Sequence, residues 1–126
     1  MYQVAQSCKT RVHLVDDDRA VRDSLKFALE LDGMAVQTWE SGARLLSEGD
    51  LAKADCLVLD CKMPGLDGFA VVKALAERHV TLPIIMITAP VTEAIRRQAH
   101  ALGIFCVLEK PLLDGILSEA VLRIIA

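Results

Sequence analysis

Aromatic side chains are scarce in this chain: three Phe, one Tyr and one Trp make up 4% of its 126 residues. Its core must therefore come from Leu, Ile, Val, Ala and Met, within a hydrophobic content of 53%. An excess of basic charge is also missing. Fourteen Lys and Arg stand against seventeen Asp and Glu, a net charge of −3. That balance leaves no electrostatic footprint for direct nucleic-acid binding or for an anionic membrane surface. No apolar run reaches the ~18 residues that a membrane span needs. The opening residues, MYQVAQSCKTR, lack the apolar stretch of a secretory signal. These absences predict a cytoplasmic protein, and the length is that of one domain, 1–126, with a core from about residue 11 to 125.

Cysteine is present but carries no framework. Cys8, Cys56, Cys61 and Cys106 show no CxxC spacing and no supporting His. Cys56 and Cys106 lie inside apolar runs, where a free thiol behaves as a small hydrophobe. A reducing compartment follows from that reading.

Five short apolar runs alternate with five amphipathic stretches. The runs are Arg11–Val15, Met34–Trp39, Cys56–Asp60, Ile84–Thr88 and Ile104–Leu108. Three are near-continuous Val, Ile and Leu, as in parallel strands buried on both faces. The stretches between them predict helices. The first shows Val21, Leu25, Ala28 and Leu29 at spacings of three and four, with Asp18 as N-cap and Gly33 past its end. The others fall at about Ala43–Glu48, Phe69–His79, Thr92–Leu102 and Leu113–Ile125. The third offers Phe69, Val72, Leu75 and Ala76 to the core. The fifth offers Ile116, Leu117, Ala120, Val121 and Ile124, and the fourth is the most polar. Strand alternating with helix implies an α/β fold, a doubly wound parallel sheet with helices on both faces.

In such sheets, ligands bind beyond the carboxyl ends of the strands. Those ends carry Asp16-Asp17-Asp18, Asp60, Thr88 and Glu109-Lys110-Pro111. Crowded carboxylates repel one another, and a hard cation such as Mg²⁺ relieves that repulsion. A carboxylate can also act as a nucleophile and form an acyl phosphate. A metal, an ammonium and a hydroxyl can then hold the phosphoryl oxygens. Each residue has an ordinary reading too. The Asp run can cap a helix, Pro64-Gly65 can be a turn, Thr88 can satisfy itself locally and Lys110 can be a solvated charge. Asp60 fits such a reading worst, because it closes an apolar run where an unpaired carboxylate is costly.

Four marks occur in order: Val15-Asp16-Asp17, D-x-x-M-P-G-x-D-G at Asp60–Gly68, Ile87-Thr88-Ala89 and Glu109-Lys110-Pro111. With them the sequence resembles the receiver domains of bacterial response regulators, over about Arg11 to Ile125. The resemblance implies a five-stranded, flavodoxin-like sheet of order 2-1-3-4-5. It implies that Asp60 accepts a phosphoryl group from a sensor histidine kinase. It further implies that Asp16, Asp17, Asp60 and the backbone carbonyl of Lys62 hold Mg²⁺, and that Thr88 and Lys110 contact the phosphoryl oxygens. Pro111 would follow a cis peptide bond. Such domains catalyse only their own phosphorylation and dephosphorylation. Their signal leaves through the face of helix four, strand five and helix five, which can also form a homodimer.

The chain departs from the family at three positions. Val107 stands where an aromatic usually couples to the Thr. Phe105, two residues earlier, should point the same way by strand alternation. Lys62 and Pro90 occupy positions that tune dephosphorylation, and Lys62 is expected to pair with an acidic side chain. Cys61 should turn away from Asp60 by alternation, and His13, His79 and His100 read as ordinary residues. A phosphorylation-independent interaction module is the alternative reading. An Asp-nucleophile phosphatase is set aside, because its second Asp would stand where Lys62 does. The chain closes after helix five with no DNA-binding segment. It reads as a stand-alone receiver or as the first domain of a regulator with a C-terminal DNA-binding output, towards which E-K-P and Lys62 lean.

Overall fold

A computed structural model describes residues 9–113 and 115–125. Cys8, the N-terminal segment and Asp114 of the expected fifth helix lie outside the described residues. The elements alternate as β1 (Arg11–Val15), α1 (Arg19–Leu31), β2 (Ala35–Trp39), α2 (Gly42–Glu48), β3 (Cys56–Asp60), α3 (Gly68–Glu77), β4 (Ile84–Thr88), α4 (Glu93–Ala101), β5 (Cys106–Glu109) and α5 (Ile116–Ile125). The strand order is β2-β1-β3-β4-β5 and every pairing is parallel. The sequence predicts that order through its family resemblance. It does not predict the 3-10 turn at Leu51–Lys53 that leads into β3.

The sheet is covered on both faces, which explains the unbroken apolar character of its centre. All five residues of β3 and of β4 are buried. One face packs Val12, Leu14, Val58, Ile85 and Ile87 against Leu29 of α1 and Leu117, Ala120 and Val121 of α5. The other packs Val15, Leu57, Leu59 and Met86 against Leu45 of α2, Phe69, Val72 and Leu75 of α3, and Ala99 of α4. Burying a Leu, Val or Ile fully is worth roughly 1.5–3 kcal/mol, so these two aliphatic layers hold the strand ends in place. Trp39 joins the second face, so the one Trp is part of the core.

The differences from the expected boundaries have local causes. Met34 is absent from β2 because its N–H closes α1 on the Leu29 carbonyl. Ile104 likewise closes α4, donating to the Ala99 carbonyl, and the β5 ladder begins at Cys106. The fifth helix starts at Ile116 rather than Leu113, because Gly115 holds φ +83° and interrupts a right-handed helix there. Ala28, Ala76 and Ile116, expected in the core, are exposed. α4 buries only Ala99, in keeping with its polar sequence.

Candidate functional site

The three consecutive aspartates after β1 do three different things. Asp16 is fully buried; its Oδ1 accepts the Asp18 N–H at 2.9 Å. Asp17 is exposed at the rim. Asp18 is the N-cap of α1, accepting from the N–H groups of Ala20 (2.9 Å) and Val21 (3.3 Å). The ordinary capping reading is thus right for Asp18. Arg22 of α1 steadies the same corner by donating to the Asp16 backbone carbonyl at 2.8 Å.

Asp60 ends β3 and is 4% exposed. Its Oδ1 accepts the Lys62 N–H at 3.1 Å and its Oδ2 accepts from the Lys110 ammonium at 3.1 Å. The same ammonium donates to Asp16 Oδ2 at 2.8 Å. Oxygens of Asp16, Asp17 and Asp60 all lie within 4.8 Å of one another. Three converging carboxylate oxygens are the donor set a hard divalent cation prefers, so these residues fit Mg²⁺.

Burial pushes the Asp60 carboxyl above its ordinary pKa. The Lys110 hydrogen bond opposes this, and the negative charge of Asp16 adds to it. Burial alone would lower the Lys110 ammonium, but its hydrogen bonds to Asp16 and Asp60 outweigh that and raise it. The lysine is therefore held charged between two carboxylates.

Behind Asp60 the chain must turn sharply into α3. Gly68 allows this: a Cβ there would lie 2.5 Å from the Asp60 carbonyl oxygen, and the Gly68 N–H donates to the Cys61 carbonyl. Asp67 caps α3 through the Ala70 N–H. Thr88 ends β4 and is 1% exposed. Its hydroxyl oxygen makes no hydrogen bond of good geometry among the described residues, and the polar group beside it is the weakly hydrogen-bonding Cys61 thiol. A buried, unpartnered hydroxyl is rare and costs about 1–3 kcal/mol.

Asp16, Asp17, Asp60, Thr88 and Lys110 thus all lie at the carboxyl edge of the sheet. The Lys110–Pro111 bond is cis, and so is Ala89–Pro90, which the sequence did not lead us to expect. Lys62 differs from expectation. Its ammonium donates to the Ala89 carbonyl at 3.3 Å and forms no ion pair with an acidic side chain among the described residues. The side chain thus reaches over the β4–α4 loop to a carbonyl just beyond the end of β4. Pro90 is exposed in that loop. Val107 is half-buried against the α2–α3–α4 face. Phe105 precedes β5 and is 47% exposed, whereas Val107 is half-buried.

Cys61 packs with Leu57 and Leu59, on the face away from Asp60, and burial pushes its thiol up. Burial likewise pushes Cys56 up to about 12, so neither is an activated thiolate. Two residues do more than the sequence indicated. His13 is buried, and its Nδ1 accepts from Trp39 Nε1 at 2.9 Å. Glu109, one letter of E-K-P, accepts the Val91 N–H at 3.0 Å. A lone His in a strand gives no sequence signal for the first contact. The second depends on a loop conformation.

The family model for the response regulator receiver domain matches residues 12–122. The chain belongs to the response regulator receiver domains. This receiver domain is 38% identical over 117 residues to the C4-dicarboxylate transport transcriptional regulatory protein DctR of Rhodobacter capsulatus, covering 91% of this chain and 59% of that protein. It is 38% identical over 110 residues to the transcriptional regulatory protein FixJ of Azorhizobium caulinodans, covering 87% of this chain and 52% of that one. The receiver domain therefore spans between half and three-fifths of the length of these relatives. Its fold matches the Vibrio cholerae chemotaxis protein CheY4 with a TM-score of 0.86 at 27% identity, over 93% of this chain and 99% of that one.

Proposed function

We propose that this receiver domain takes a phosphoryl group onto Asp60 from the phosphohistidine of a sensor histidine kinase, and switches a partner or output domain by doing so. A carboxylate oxygen of Asp60 attacks phosphorus, a P–O bond forms, the P–N bond breaks with its electron pair going to nitrogen, and the phosphohistidine ring, protonated on its other nitrogen, leaves as neutral imidazole. Asp16, Asp17, Asp60 and the backbone carbonyl of Lys62 would hold Mg²⁺, which when bound neutralises the phosphoryl charge. Lys110 already sits on Asp60 and offers its ammonium to a phosphoryl oxygen. Thr88 turns its unpartnered hydroxyl into a donor for another. The domain acts on its own acceptor and on no separate substrate.

The observation that carries this reading is the environment of Asp60. It is a buried carboxylate at a strand end, with one backbone N–H and one ammonium fixing its two oxygens beside two further carboxylates. Residues 11–125 are read as the single receiver unit. The relatives DctR and FixJ are transcriptional regulatory proteins, which supports a DNA-binding output partner outside this chain. Exposed Phe105, Leu122 and Ile125 near β5 and along α5 leave apolar surface for a homodimer through the α4–β5–α5 face. No helix among the described residues is long and apolar enough to cross a membrane, in keeping with a cytoplasmic site of action.

Acetyl phosphate with Mg²⁺ is the direct test, read by intact mass. Wild type should gain one phosphoryl group and Asp60→Asn none. Equal labelling of both would remove Asp60 from the role. No labelling of either would favour a phosphorylation-independent interaction module.

A further inference from the structure

Three residues, Ala89–Val91, separate the end of β4 from Thr92, whose hydroxyl caps α4 at the Ile95 N–H. Pro90 brings no N–H to this segment. Two side chains tie it down. Lys62 donates to the Ala89 carbonyl, and Glu109 Oε2 accepts the Val91 N–H at 3.0 Å. Lys62 stands two residues after Asp60, and Glu109 stands immediately before Lys110. Glu109 is also the register partner of Thr88, and the Lys110 N–H donates to the Thr88 carbonyl at 2.8 Å. Loop, Thr88 and Lys110 thus form one short hydrogen-bonded circuit, with Glu109 closing it from the strand side.

Resting on the acceptor role proposed for Asp60, we propose that Glu109 is a positioning residue that holds the β4–α4 loop, and with it Thr88, in the unphosphorylated arrangement. The Val91 bond is released when the Thr88 hydroxyl moves to a phosphoryl oxygen. Two features support this direction. The Thr88 hydroxyl is buried at the strand end without a hydrogen-bond partner among the described residues while the Glu109 bond is made, so it can take up a phosphoryl oxygen without first giving up a bond of its own. A phosphoryl group on Asp60 also adds negative charge beside Lys110, and the neighbouring Glu109 carboxylate carries the same sign. A contact made in only one of two states biases the equilibrium toward that state by its own net strength. Val107, two residues earlier on β5, has no ring to swing, so here the coupling of β5 to the loop runs through this carboxylate.

Magnesium beryllofluoride, an analogue of the phosphoryl group, tests the idea on the whole chain. Glu109→Ala should bind it about threefold to tenfold more tightly than wild type, the factor a modest net hydrogen bond supplies. Glu109→Gln keeps an acceptor oxygen but loses the charge, and its affinity should fall between those of wild type and Glu109→Ala. The Val91 amide should exchange slowly in free wild type and in Glu109→Gln, and faster once the analogue is bound. In Glu109→Ala it should be fast throughout. Unchanged or weaker binding by Glu109→Ala, or a Val91 amide that stays protected in the bound state, overturns the role of Glu109 alone. Failure of wild type to bind the analogue in an Asp60-dependent way overturns the acceptor reading and this inference with it.

Discussion

The Lys110 ammonium lies 3.1 Å from Asp60 Oδ2 and 2.8 Å from Asp16 Oδ2, although 50 and 94 residues separate it from them in the chain. One cation therefore faces two buried carboxylates, and one negative charge is left over before Asp17 is counted. That surplus is costly to the fold and is what a cation or a reaction at Asp60 can use.

The cost should be measurable at Asp60. Its carboxyl pKa is raised in the fold, chiefly by burial. The folded protein thus holds this proton more tightly than the unfolded chain, and the contribution of Asp60 to stability falls as pH rises through the folded pKa. Asp60→Asn should melt higher than wild type at pH 7, by on the order of 5 °C, roughly what 1 kcal/mol does in a domain of this size. The gap should narrow as pH is lowered toward 4. Thermal melts of both proteins at several pH values check this. A mutant that melts lower at neutral pH would mean that its hydrogen bonds outweigh its burial.

Mg²⁺ should relieve the same surplus charge. A ligand that binds only the folded state at tenfold its dissociation constant stabilises by about 1.4 kcal/mol. Melting temperature should rise with millimolar Mg²⁺ in wild type and hardly at all in Asp17→Ala. Asp17 is exposed, so its removal should leave the fold intact. An equal rise in both proteins would place the cation elsewhere.

His13 should give stability an acid-side slope. Its pKa is lowered by burial, partly offset by the Asp50 backbone carbonyl and charge. Arg11 and Lys53 line the same hollow. Its Nδ1 accepts from Trp39, so a proton at that nitrogen and the bond exclude one another. The unfolded chain takes up a proton near pH 6.5 while the fold keeps the ring neutral. The stability from His13 is therefore full above pH 6.5 and is lost as pH falls below it. Urea unfolding followed by Trp39 fluorescence should show a steeper loss from pH 7 to 5.5 in wild type than in His13→Gln. Parallel curves would leave His13 without a part in the pH response.

Strand ends were legible because chemistry interrupts apolar runs there. Asp16, Asp60, Thr88 and Lys110 each close or follow a run whose Val, Ile and Leu content requires burial, and a parallel sheet brings such ends to one edge. Helix faces were legible from spacing, except where a position such as Ala28 or Ile116 belongs to the stripe but lies beyond the reach of the sheet. Other features depended on partners far away in the chain. Lys62 takes the Ala89 carbonyl rather than an acid because the β4–α4 loop passes beside it. Glu109 meets Val91 because the Thr88–Glu109 register brings the end of β5 to that loop. His13 is tied to Trp39 because two paired strands set their rings side by side. Sequence by itself determined which groups stand at the sheet's edge, since burial of an apolar run and its termination are local properties. Only the tertiary structure decided which of those groups touch, since a hydrogen bond needs its partners within about 3 Å, and that precision comes from packing around the whole sheet.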